Sequence, residues 1–162
     1  LIDKFGGHAA AAGLRIDEAH VDRFRAHFCE YVASEIAPED QVAELAIDAE
    51  STFAQLNLRS VEQIEQLAPF GAENPRPLLC ASSVNLEGEP KRMGKGERHL
   101  SLRFSQHNVV LRAVAFGQAD WADPIAQVDG TLDIAYRPVI NEFRGRRSVE
   151  LHLADWRPAS VV

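Results

Sequence analysis

The sequence has only two cysteines, Cys29 and Cys80, and one methionine, Met93. Two cysteines do not make a disulfide framework, so we interpret them as small buried side chains in a reducing compartment. The six histidines are scattered, and none pairs with a cysteine at zinc-ligand spacing. No apolar run approaches the roughly 20 residues that cross a bilayer, and the chain begins without a charged-then-apolar leader. These absences predict a soluble, cytoplasmic protein without a membrane partner or a metal site of its own.

The chain also has no surplus of positive charge, and its net charge is −7. Such a sum argues against nucleic acid as a partner, but the distribution along the chain matters more than the sum. Residues 1–40 carry four basic and eight acidic side chains, and residues 41–75 carry one and six. Residues 76–162 carry twelve basic and ten acidic side chains. Only this last segment has the composition to present a basic face.

The first 40 residues are expected to form a glycine turn, a short strand and a helix. The turn is placed at Gly6–Gly7, the strand ends at Ile16, and Asp17 is a suitable N-cap for the helix. Apolar residues then recur at steps of three and four and predict one apolar helical face: Val21, Phe24, Phe28, Tyr31, Val32 and Ile36. Pro38 ends the helix, and residues 38–41 are predicted to be a linker.

The next segment, residues 41–75, is predicted to be a connector. Residues 43–49 suggest a short strand, and Ser60 with Gln63 forms a capping-box pattern at the start of a second helix. That helix is expected to turn Val61, Ile64 and Leu67 inward. The proline- and glycine-rich run from Ala68 to Leu79 must be a shaped turn, in which Phe70 and Asn74 are structural. Asp48 and Glu50 are interpreted as solvated surface rather than a metal-binding or acid-base pair.

From Leu78 onward the apolar pattern becomes alternating. It predicts strands near residues 78–87, 99–105, 108–116, 131–140 and 147–156, with a short helix at 118–126. Three strands, a helix and two strands is the order of the OB-fold, a five-stranded Greek-key barrel. Trp121 and Trp156 stand among apolar residues and are expected to pack rather than to stack on a ligand.

Two motifs carry a possible binding chemistry. Gly6 and Gly7 allow close backbone approach to an anion, and His8 beside them offers a donor to a phosphate oxygen. The alternative for these three residues is a plain turn before a strand. The second motif is a pair of basic loops. Lys91, Arg92, Lys95 and Arg98 lie in the first of these loops, and Phe143, Arg144, Arg146 and Arg147 lie in the second.

Single strands of nucleic acid are held by a positive groove along the backbone and by aromatic rings that stack on bases. Two basic hairpins on one small barrel would flank a surface of that kind. The alternative is that these side chains are solvated loop tips that keep strand edges from pairing. Arg103 and Arg112 are candidates for the same surface, but the sequence leaves open which way they face.

The string GGHAAAAGLRI, residues 6–16, resembles the closing motif of the DHHA1 domain, which follows the catalytic DHH domain in many phosphodiesterases. Residues 67–79, 98–104 and 132–158 resemble the OB domain of RecJ-type exonucleases. The resemblance implies 5′→3′ degradation of single-stranded DNA in bacterial repair and recombination. It also implies that Gly6 and Gly7 shape a phosphate site that His8 contacts.

The expected fold class is therefore α+β: a DHHA1 remnant (1–40), a connector with one helix (41–75) and a five-stranded OB barrel (76–162). The sequence contains no DHH motif. The resemblance places the Mn²⁺ or Mg²⁺ ions in the DHH domain, so this chain is expected to hold no catalytic residue and no cofactor. Its expected partners are single-stranded DNA and that DHH domain. Two alternatives remain: a non-catalytic domain-docking or protein-interaction module, and part of a DHH phosphodiesterase acting on short oligonucleotides.

Overall fold

The structure is a computed structural model that describes residues 1–9, 11–37 and 44–159. The chain separates into two compact units, Leu1–Leu45 and Ala46–Val162. The linker expected at residues 38–41 and the expected boundary after residue 40 lie outside the described residues, so the three-part domain division stays a prediction. In the described part of the chain, no helix is long and apolar enough to cross a membrane.

The first unit begins with an antiparallel hairpin of β1 (Ile2–His8) and β2 (Ala11–Ile16). Gly6 pairs with Gly13 and Gly7 with Ala12, so the expected turn at Gly6–Gly7 is wrong. Both glycines have ordinary strand geometry without a positive φ. The chain leaves β1 only after His8.

A single helix, α1 (Val21–Glu35), follows the hairpin. Asp17 is the predicted cap, and its carboxylate accepts a hydrogen bond from the Ala19 amide at 2.9 Å, which starts a 3₁₀ turn before the helix. No side chain of α1 is buried in the described part of the chain, so described residues leave the predicted apolar face of this helix largely uncovered. Phe28 and Tyr31 are more than half exposed, and the Phe28 ring stacks on Phe24 with 5.7 Å between ring centroids.

The second unit contains one large sheet, so the chain as a whole is of the mixed α+β class. Its seven strands are β3 (Ala49–Glu50), β4 (Leu79–Leu86), β5 (Lys91–Met93), β6 (His99–Gln106), β7 (Val109–Ala115), β8 (Leu132–Phe143) and β9 (Arg146–Pro158). They pair in the order β3-β4-β8-β9-β7-β6-β5. A further pairing of β4 with β6 joins β4, β8, β9, β7 and β6 into a ring.

The strands of this ring coincide with the five segments in which apolar residues alternate. Of the two shorter strands, β5 was not expected and β3 begins later than predicted. β3 begins only at Ala49, so the strand predicted over residues 43–49 is wrong for residues 44–48. β5 forms the edge beside β6 and carries the start of the first basic loop.

The core fills the inside of the ring. Leu100, Leu102 and Phe104 alternate along β6 and are almost fully buried, as the pattern predicted. The Tyr136 ring is also fully buried, and its hydroxyl lies 2.7 Å from Ser51 Oγ. Burial raises the pKa of Tyr136 to about 12. Buried Gln106 accepts a hydrogen bond from the Phe53 amide at 2.9 Å, which fixes the segment after β3 against β6.

Two helices complete this unit, α2 (Leu58–Glu65) and α3 (Ala122–Ala126), and the second is preceded by a 3₁₀ turn. The N-cap of α2 is Asn57, whose side chain accepts from the Ser60 amide at 3.1 Å. Ser60 is thus the reciprocal partner of the cap rather than the cap itself. Val61 is buried as expected, whereas Leu67 lies beyond the helix and is 55% exposed.

The proline- and glycine-rich turn after α2 is held by Asn74, as predicted. Its Nδ2 donates to the carbonyl oxygens of Leu67 and Pro69 at 2.9 and 3.0 Å. Phe70 does not pack on the buried core; instead the Arg76 guanidinium lies 4.5 Å from its ring centroid. Arg76 also forms a bidentate ion pair with Glu65, which ties the turn to the end of α2.

Candidate nucleic-acid interface

The strand register defines an outer strand face, which we use for the outward side of β6, β7 and β9. Arg103 of β6 lies opposite Arg112 of β7, and Arg112 lies opposite Glu150 of β9. Paired residues share one side of a sheet, and neighbours along a strand point to opposite sides. The outer strand face therefore includes these residues: Ser101, Arg103, Arg112, Val114, Glu150 and His152.

Two arginines meet at the centre of the outer strand face, and both are exposed. Like charges directly opposite each other on neighbouring strands destabilise a sheet. Glu150 offsets this repulsion, because its buried carboxylate forms an ion pair with Arg112. Arg103 makes no ion pair with any described residue, so its guanidinium remains available to an external anion.

The first basic hairpin runs from Lys91 to Arg98, and its four basic side chains are all exposed. Arg92 forms an ion pair with Asp123 at 3.1 Å, whereas Lys91, Lys95 and Arg98 form none with described residues. The loop turns at Gly94, whose φ is 85°, and a Cβ there would lie 2.7 Å from the His99 ring. Glycine is thus required at this point for the loop to lie against β6.

The second basic hairpin joins β8 to β9 through Arg144 and Gly145, which have φ values of 52° and 73°. Positive φ at both central residues is the geometry of a type I′ hairpin turn. Phe143 is 64% exposed, and the Arg144 guanidinium lies 5.1 Å from its ring centroid. Arg147 forms an ion pair with Glu62 of α2 at 2.9 Å. Arg144 and Arg146 form no ion pair with described residues.

The two basic hairpins lie at opposite ends of the outer strand face. The first hairpin directly precedes β6 at His99. β9 runs parallel to β7 with Glu150 opposite Arg112, so the start of β9 lies beside the start of β7 and the end of β6. At about 3.3 Å per residue, the length of β6 separates the hairpins by roughly 20 Å. Arg103 lies between them.

Phe116 stands at the β6 start of this face and was not singled out from the sequence. It follows β7 and is 53% exposed. Its ring makes edge-on contacts with His99 and His152, with centroid distances of 5.4 and 4.9 Å. The alternating sequence of β6 is enough to predict that His99 lies on the same side as Arg103. The sequence does not predict the position of Phe116, because this residue lies just beyond the end of β7.

The predicted phosphate motif lies in the first unit. Gly7 packs closely in the hairpin, because a Cβ there would lie 2.5 Å from the Ala11 carbonyl oxygen, whereas a Cβ on Gly6 would meet nothing within 4 Å. His8 is the last residue of β1. A phosphate role for Gly6, Gly7 and His8 stays a prediction.

The remaining candidates have structural contacts. Trp121 and Trp156 are partly buried against the core, as expected. Asp48 and Glu50 are hydrogen-bonded rather than merely solvated: Asp48 accepts from the Leu78 amide at 2.8 Å and Glu50 from Ser82 Oγ at 2.6 Å. The described residues contain no cluster of three His, Cys, Asp or Glu side chains suited to a metal ion.

The β-rich unit, with its ring of strands and basic outer face, belongs to the OB class of domain. Residues 47–155 match the family model described as the RecJ OB domain. The chain therefore belongs to the RecJ family.

Curated relatives agree with this assignment. The chain is 33% identical over 153 residues to the single-stranded-DNA-specific exonuclease RecJ of Haemophilus influenzae, covering 93% of this chain and 26% of that protein. It is 31% identical over 158 residues to the RecJ of Thermus thermophilus, covering 97% and 21% respectively. The chain thus spans about a quarter of the length of the curated relatives it matches.

Solved structures show the same relationship. The crystal structure of Thermus thermophilus RecJ in complex with Mg²⁺ matches with a TM-score of 0.58 and 27% identity, over 99% of this chain and 24% of that one. The corresponding Mn²⁺ complex gives a TM-score of 0.57 and 28% identity, over 100% and 23%.

Proposed function

We propose that this chain is the part of a 5′→3′ single-stranded-DNA exonuclease that binds and guides the DNA strand, acting in DNA repair and recombination. The observation that carries this proposal is the exposed Arg103, unpaired among described residues and lying between two basic hairpins. The curated relatives are single-stranded-DNA-specific exonucleases, which supports the substrate class.

The ring of β4, β6, β7, β8 and β9 is, in this proposal, the five-stranded OB barrel. OB barrels bind oligonucleotides on the face of their second and third strands, between the loops that precede the second and fifth strands. Here those strands are β6 and β7, and those loops are the two basic hairpins. In this proposal, the sugar-phosphate backbone of a DNA strand lies along the outer strand face. It contacts Lys95 and Arg98 at one end and Arg144 and Arg146 at the other.

Selectivity for single strands follows from base exposure. Phe143 projects from the second hairpin with its ring largely uncovered, and such a ring gains stacking energy only from an unpaired base. A duplex keeps its bases stacked within the helix, so it would gain only the phosphate contacts. The structure therefore favours a strand that passes through the site with its bases turned toward the protein.

The remaining parts of the proposal concern catalysis. The hairpin and α1 would be the end of a DHHA1 domain, with Gly6 and Gly7 shaping a site where His8 donates to a substrate phosphate. The Mn²⁺ or Mg²⁺ ions and the groups that cleave the phosphodiester bond would belong to a DHH domain, so this chain alone would not cut DNA. It would work in the bacterial cytoplasm.

A titration with a fluorescent single-stranded oligonucleotide, and with the matched duplex, at several salt concentrations tests the binding role. We expect preference for the single strand, weakening with salt, and a strong loss of affinity when Arg144, Arg146 and Arg147 are changed to alanine. Arg59→Ala is the matched control, because Arg59 is an exposed arginine of α2 outside both hairpins. Weak binding without strand preference would favour the docking-module alternative.

A further inference from the structure

Phe116 is an exposed apolar residue on the outer strand face, in contact with the side chains of His99 and His152. About half of the ring is accessible. The contacts that hold it come from two histidines, and their interplanar angles with Phe116 are 71° for His99 and 84° for His152. His99 is itself fixed, since its Nδ1 accepts a hydrogen bond from the Gly117 amide at 2.9 Å. The ring is thus presented to solvent in a defined orientation.

The second histidine is part of the charged network on the outer strand face. His152 Nε2 lies 3.6 Å from a carboxylate oxygen of Glu150, whose other oxygen binds Arg112. Burial lowers the pKa of His152, although Glu150 acts in the opposite direction. The imidazole packs edge-on against the Phe116 ring, and the two rings form an aromatic surface.

This aromatic surface lies at the same end of the outer strand face as the first basic hairpin. His99 directly follows the hairpin that carries Lys95 and Arg98, and His152 lies beside Val114 of β7. Phosphates bound at Arg98 and Arg103 would place the intervening bases over the same end of the sheet. Aromatic rings beside a basic track are the two elements of sequence-tolerant single-strand binding.

We propose that Phe116, supported by His99 and His152, is a nucleobase-stacking platform that binds one unpaired base of the DNA strand. This inference rests on the proposed single-strand binding and adds a site to it. The site is distinct from Phe143, which lies at the opposite end of the outer strand face. His99 and His152 are positioning residues here, because they orient the ring that touches the base.

The test compares wild type with Phe116→Ala and Phe116→Trp, using an oligonucleotide that contains 2-aminopurine and a matched oligonucleotide with abasic sites. We expect Phe116→Ala to weaken binding of the base-containing strand about tenfold, the usual effect of losing one stacked base. Phe116→Trp should retain the affinity, because an indole ring can stack on the same base. The slope of log Kd against log salt should not change, because no phosphate contact is removed.

Abasic DNA separates stacking from indirect effects. If Phe116 stacks on a base, wild type and Phe116→Ala bind the abasic strand equally. Equal binding of the base-containing strand by both proteins, with salt-sensitive affinity retained, would overturn the platform and leave the proposed function standing. Absence of single-strand binding in the wild type would overturn both. A lower melting temperature for Phe116→Ala with unchanged DNA affinity would assign the ring a purely structural role.

Discussion

Arg103 offers the sharpest test of the electrostatic argument. For single strands, each phosphate neutralised by the protein adds about 0.7 to the slope of log Kobs against log salt. The basic residues of the interface without an ion pair among described residues are Lys91, Lys95, Arg98, Arg103, Arg144 and Arg146. If all of them contact phosphate, the slope approaches about −4. Arg103→Ala should make this slope shallower by about 0.7.

The assay is fluorescence anisotropy with a short oligothymidine strand at four or more salt concentrations. Arg59→Ala provides the matched control and should leave the slope unchanged. Arg112→Ala is informative for a different reason, because it removes the partner of the buried Glu150 carboxylate and should lower stability as well as affinity. If Arg103→Ala and Arg59→Ala gave the same slope as wild type, the DNA would not cross the outer strand face, and the reasoning would be refuted.

Three further predictions concern the fold. Gln106→Leu removes the acceptor of the buried Phe53 amide and should lower the free energy of unfolding by about 2–3 kcal/mol in urea titrations with an unchanged m-value. Because burial lowers the pKa of His152 below 6.5, the unfolded chain takes up the proton first as the pH falls. The free energy of unfolding should therefore be highest above about pH 6.5 and should fall as the pH drops below that value. In the His152→Gln variant the free energy of unfolding should depend less on pH over this range. Gly7→Ala should speed amide hydrogen exchange in the β1–β2 hairpin, because the added Cβ would collide with the backbone of β2. Gly6→Ala should leave the exchange rates unchanged, because its Cβ would meet nothing within 4 Å. Equal exchange rates in the two variants would contradict the close packing at Gly7.

The strands of the ring could be predicted because their physical signal is local. In β6, Leu100, Leu102 and Phe104 alternate with polar residues, and a half-buried strand requires that period. The two basic hairpins followed from the same alternation, since the charges fall between the strands. The short strands β3 and β5 have too few residues to show a period, and they form only because a long neighbour pairs with them.

The errors arose where local pattern and tertiary contact disagree. Ser60 has a capping-box partner in the sequence, but Asn57 takes the cap because its side chain reaches the Ser60 amide. Gly6 and Gly7 suggested a turn, whereas they pair within β1. The helical period of α1 is real, yet none of its side chains is buried among described residues. Periodicity specifies which side of a helix is apolar, and only packing decides whether that side is covered.

The acidic total of the chain and its basic interface are compatible for a structural reason. Many carboxylates of the second unit have internal partners: Asp48 caps a backbone amide at the start of β4, Glu65 holds Arg76, and Glu150 lies buried against Arg112. Such groups contribute to the net charge but project little field from the outer strand face. The hairpin arginines Arg144 and Arg146 remain exposed. The sum of charges therefore says little about this surface, and the field that a DNA strand would meet depends on which charges are already paired.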